Sequence, residues 1–187
     1  DVLDLDDIHV EFAPDLVDMV IDPASGLDSR ITNMRTHIAK SFGIIMPEVR
    51  LTDDAMLTDG TYVVRIHGVE AARGVLHPDL LLALIPEGTT SLPKGIDVEE
   101  PVYGAPARWI QTAEREDAQL GGLTVVSSSE VLATHLLEII KRNLGRLLTM
   151  KSLKRLLDEL GTLSNPGRAE ANRVLIEQTV PDKVPME

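Results

Sequence analysis

At 187 residues, with 43% hydrophobic and 26% charged side chains, the chain is long enough for one generous domain or two small ones and has the composition of a folded globular protein. A net charge of -12 disfavours nucleic acid and anionic lipid as partners, and the lack of cysteine removes disulfides, thiolate metal sites and a cysteine nucleophile. The charge is uneven: the first sixty residues hold 13 acidic and 4 basic side chains, the remainder 17 and 14. No stretch approaches the ~18 consecutive apolar residues of a membrane span. The acidic start Asp1 to Asp7 does not read as a signal peptide.

Alternation over Ile8 to Phe12 predicts a strand limited by Pro14. Ile31, Met34, Ile38 and Phe42 then fall at helical spacing in a helix over Asp28 to Phe42, stopped by Gly43. Glu48 to Thr52 predicts a short strand. Thr61 to His67 predicts another, with Tyr62, Val64 and Ile66 on one face, then a tight turn at His67-Gly68 and a returning strand over Val69 to Val75. Leu80 to Ile85 opens a small subdomain, completed by strands at Arg108 to Gln111 and Leu123 to Ser127 around a polar helical stretch.

Ser127, Ser128 and Ser129 supply hydroxyls to cap a long helix whose apolar stripe runs from Leu132 to Leu148, with Asn143 as its one polar break. A second helix follows over Met150 to Leu160, ended by Gly161, and a third from Asn165-Pro166 to about Thr179. The fold class is α+β, with strands and helices mixed first and helices alone later.

The sequence offers little for catalysis. No glycine precedes Lys40-Ser41 or Lys151-Ser152 as a phosphate loop requires, and there is no GxGxxG or GxSxG. His9, His37, His67, His77 and His135 are dispersed without an HExxH pair and read as isolated surface histidines. The aspartates at 1, 4, 6 and 7 lack the glycine and terminal glutamate of a calcium loop and read as a solvated lead-in. No cofactor or metal is implied, and an enzyme is the weaker class.

Pro101-Val-Tyr-Gly-Ala-Pro-Ala-Arg-Trp-Ile110 places two of only five aromatics in ten residues. Gly104 and Pro106 fix a bend that presents Tyr103. A rigid aromatic tip is a good docking anchor, because little entropy is lost on binding. The bland alternative is that Tyr103 fills a core, and Trp109 is read as core.

With this segment the chain resembles the FlhA family of type III export gates, which carries an aromatic-Gly-x-x-x-x-Trp-Ile segment. Arg30-Ile-x-x-Met-Arg35, Phe42-Gly43, Gly68-Val-Glu70, Leu123-Thr-Val-Val126 and Glu130-Val-Leu-Ala-Thr-His-Leu136 match the family in order, over Ile8 to Leu160.

The resemblance implies a cytoplasmic domain of a bacterial inner-membrane protein, which forms a nonameric ring and works with other export-apparatus proteins. It implies a fold of a first subdomain (1–78 plus 128–147), a small inserted α/β subdomain (79–127) and an incomplete helical subdomain (148–187). The family's dimple for export chaperone-cargo complexes maps to Glu100, Tyr103 and Thr134. Aspartate is usual at the first position and phenylalanine frequent at the second, which leaves chaperone preference open. A flagellar parent is favoured over an injectisome paralogue, and a mainly ring-forming fragment is the other alternative.

Overall fold

The computed structural model describes residues 7–161 and divides the chain into two compact units, one running to Arg142 and one starting at Asn143. In the first unit, β1 (Ile8–Phe12) buries Ile8, Val10 and Phe12 on one face, as its alternation requires. A 3-10 turn (Pro14–Leu16), α1 (Val17–Ile21) and α2 (Leu27–Phe42) form the crossover to β2 (Val49–Asp53), which lies parallel to β1. The sequence reading did not anticipate the segment from Pro14 to Ile21 as helical. Its helices are three and five residues long, too short for an apolar period to show.

β3 (Thr61–Ile66) pairs antiparallel with β1 and turns at His67-Gly68 into β4 (Val69–Val75), giving the sheet order β2-β1-β3-β4. Both turn residues have positive φ, the geometry of a two-residue hairpin that follows the twist of its strands. Burial on β3 goes beyond the expected face. Val63 is buried together with Tyr62, Val64 and Ile66, so β3 is covered on both faces over Tyr62 to Val64.

The second sheet has the order β6-β7-β5-β8, all antiparallel, from β5 (Leu80–Leu84), β6 (Gly95–Glu99), β7 (Pro106–Gln111) and β8 (Val125–Ser127). The helical stretch expected between its last two strands is α3 (Arg115–Leu120), and Ala118 on it packs with Leu81, Ala83, Ile110 and Leu123. Trp109 is buried and meets the His77 ring edge-on at 5.1 Å, so it is a core residue. β6 is an unforeseen edge strand. Its Ile96 is half exposed, so its residues show no buried-face alternation.

α4 (Ser128–Arg142) packs against α2, α1 and β5 and buries Val131, Leu132, Leu136, Ile139 and Ile140. Ser127 Oγ accepts the Glu130 N–H at 3.2 Å, the cap expected from the serine run. The helix ends at Arg142 rather than near Leu148. In the second unit one helix, α5 (Leu144–Gly161), runs without a break at Met150. The polar residue Asn143 marks the interruption, whereas nothing in the leucine-rich stretch after it breaks a helix. The helix expected over Asn165 to Thr179 lies outside the described residues.

Candidate functional site

β6 and β7 are joined by a loop over residues 100–105 that folds around one carboxylate. Glu100 is 5% exposed, and burying its charge is tolerable only because hydrogen bonds replace water. Its Oε2 accepts the Val102 N–H at 2.7 Å, and its Oε1 accepts the N–H groups of Tyr103 at 2.8 Å and Ala105 at 3.0 Å. The Glu100 N–H donates to the Ala105 carbonyl, and the Gly104 N–H donates to the Glu100 carbonyl. Gly104 has φ +74°, a conformation in which a side chain would be strained.

This loop turns Val102 inward and Tyr103 outward. Val102 is buried, while Tyr103 is 66% exposed, which removes the reading of Tyr103 as a core residue. The phenol lies by the C-terminal part of α4, near Glu138, Lys141 and Arg142. Its ionisation is pushed up, first by desolvation and then by the charge of Glu138 and a hydrogen bond to it.

Thr134 is exposed on α4, one turn before Glu138 on the same face. With Met34, His37 and Leu137 it lines a groove of about 390 Å³ between α2 and α4. Glu100 and Tyr103 thus share one loop. Thr134 stands on the neighbouring helix and makes no hydrogen bond to either among the described residues.

Beneath the loop is a buried polar pair that sequence reasoning missed. The Tyr62 hydroxyl and His135 Nδ1 are 2.5 Å apart, and the rings meet edge-on. Burial, and secondarily the charge of Glu100, pushes the Tyr62 phenol well above its usual range. Burial also lowers the His135 imidazole, with Arg142 adding to the shift and Glu100 opposing it. A neutral imidazole with its proton on Nε2 accepts the phenol proton at Nδ1.

His135 is therefore not a surface histidine, and His67 is largely buried as well. The expectation fails for His135 because its neighbours Leu132, Leu136 and Ile139 put it on the apolar stripe of α4. Gly74 was a further signal: it pairs with Tyr62 across the hairpin, where a Cβ would come within 2.5 Å of the phenol oxygen.

Among the described residues no cluster of three or more side chains is placed to hold a metal ion, and no helix is long and apolar enough to cross a membrane.

A family model described as the FHIPEP family matches residues 1–187. The flagellar biosynthesis protein FlhA of Caulobacter vibrioides is 33% identical over 183 residues, covering 97% of this chain and 25% of its own length. The chain spans about a quarter of the length of the curated relatives it matches. Among solved structures, a chain of the Chlamydia pneumoniae CdsV and CdsO protein complex is similar with a TM-score of 0.65 at 18% identity, over 94% of this chain and 51% of that one. The nonameric EscV cytosolic domain from the type III secretion system is similar with a TM-score of 0.52 at 12% identity, over 96% of this chain and 51% of that one. Those two likenesses establish a shared α+β fold. Matched along its full length by the family model, the chain belongs to the FHIPEP family.

Proposed function

We propose that this chain is part of the cytoplasmic docking platform of a flagellar type III export gate, where it receives export chaperone-cargo complexes. The observation that carries the proposal is Tyr103, an exposed aromatic on a loop already closed by hydrogen bonds to Glu100. Such a tip gives a partner apolar area without ordering a flexible segment on binding. Thr134 and the α2–α4 groove extend the surface. Glu100 contributes by holding the loop, because its carboxylate oxygens already accept three N–H groups.

The flagellar assignment is supported by relatives that are flagellar proteins at about 33% identity, well above the identity to CdsV or EscV. The likeness to the nonameric EscV cytosolic domain supports a cytoplasmic location and a contribution to a ring, and the proposed parent is an inner-membrane protein. The CdsV and CdsO complex supports contacts with other export-apparatus proteins. In this reading the chain comprises a first subdomain (1–78 plus 128–147), an insert (79–127) and the start of a helical subdomain (148–187).

The test is calorimetric titration with chaperone-cargo complexes encoded by the same genome. Tyr103→Ala is expected to weaken binding about 10-fold or more, as loss of an interface hot spot does, with an unchanged unfolding midpoint. Equal affinity in a folded variant removes Tyr103 from the site.

A further inference from the structure

A second concavity, of about 730 Å³, lies within the first unit among α1, the loop before β3, the connection from β4 to β5 and the first turn of α4. Asp15, Asp18, Asp22, Asp59 and Asp79 line it, without lysine or arginine. Some acids elsewhere have cationic partners, as in Glu11–Arg65, Glu70–Arg73 and Asp97–Arg108. Among the described residues, none of the five groove aspartates has a partner in an ion pair.

Two of the five serve the fold, Asp15 by accepting the Gly60 N–H and Asp22 by accepting those of Ala24 and Ser25. The carboxylates of Asp18, Asp59 and Asp79 have no hydrogen-bond partner among the described residues. Ser129 also lines the groove. It is 7% exposed, and its hydroxyl makes no hydrogen bond among the described residues, so it is available to an occupant of the groove.

The chemistry of the occupant follows from these groups. A metal ion does not fit, because no three ligating side chains among the described residues converge. Anionic ligands are repelled. Met19, Leu76 and Leu80 add apolar side chains to the lining. Aliphatic stems ending in a charged head match that pattern: the stem covers apolar surface and the head reaches the carboxylates in charge-assisted hydrogen bonds.

We propose that this groove docks a lysine- or arginine-bearing extended segment of a protein partner, with Asp18, Asp59 and Asp79 receiving the cationic heads and Ser129 accepting at the floor. The proposal stands independently of the role of Tyr103.

The probe is a fluorescent twelve-residue peptide alternating lysine and glycine, titrated into the full chain and followed by anisotropy. The triple variant Asp18→Asn, Asp59→Asn, Asp79→Asn is compared with Glu87→Gln, Glu114→Gln, Asp117→Asn, which removes the same charge from a different concavity. The groove variant is expected to bind about 10-fold more weakly and the control within about 2-fold of the unsubstituted chain. A photo-crosslinking version of the peptide, used on the unsubstituted chain, is expected to label segments 15–22, 59–60 and 76–80. Equal loss in both triples, absence of binding, or crosslinks elsewhere overturns the proposal. So does self-association of the unsubstituted chain that the groove triple abolishes, because the occupant is then a second copy.

Discussion

Glu100 and the aspartate groove use the same functional group in opposite ways. The Glu100 carboxylate is buried and accepts three backbone N–H groups, so its bonding capacity is spent inside the chain and the outcome is a shaped loop with Tyr103 at its tip. In the groove, Asp18, Asp59 and Asp79 are exposed and have no partner for their carboxylates among the described residues, so their capacity is directed outward. An acidic residue next to a candidate site is thus not by itself a contact residue. What matters is how many of its acceptor positions the protein already fills.

Substitution at Glu100 is expected to have the largest effect. Glu100→Ala leaves three N–H groups without their acceptor and is expected to cost about 3 kcal/mol or more in urea unfolding, whereas each groove Asp→Asn change should stay within about 0.5 kcal/mol. Similar costs at both places would erase the distinction. Below the loop, Tyr62→Phe strands His135 Nδ1 in the core and is expected to cost about 1–3 kcal/mol by the same measurement.

The smallest effect is a pH dependence. His135 titrates below its ordinary 6.5 in the folded protein, so the unfolded chain takes up that proton first as pH falls. Its stability contribution is complete above about pH 6.5, declines below that, and levels off once the folded-state value is passed. Urea midpoints between pH 7.5 and 5.5 should fall less steeply in His135→Gln than in the unsubstituted protein. An identical slope would show that His135 is not the group responsible.

Much of the fold was legible because long, periodic segments bury one face. β1, α2 and the start of α4 follow from apolar spacing and from the serines at positions 127 to 129, and β4, which buries no residue, follows from the tight turn at His67-Gly68. α1 and β6 were not, since α1 has too few residues for a period and β6 has exposed apolar side chains. The end of α4 at Arg142 was misplaced, because leucines continue on both sides of Asn143 and spacing alone does not separate two helices.

At the site, the bend at Gly104 and the aromatic tip were legible from local residue types. The inward direction of Glu100 and the pairing of Tyr62 with His135 were not. The pairing depends on distant segments meeting, since Tyr62 and His135 lie 73 residues apart, whereas the direction of Glu100 is set by the backbone path of its own loop, which turns the Val102, Tyr103 and Ala105 N–H groups toward the carboxylate.

The most direct test of the docking account is backbone amide hydrogen exchange of the chain with and without a chaperone-cargo complex. The account predicts added protection over residues 101–105 and along α4 from Thr134 to Arg142, with β4, an edge strand of the first sheet, unchanged. Protection confined to other surfaces, with the Tyr103 loop exchanging as in the free chain, would contradict it.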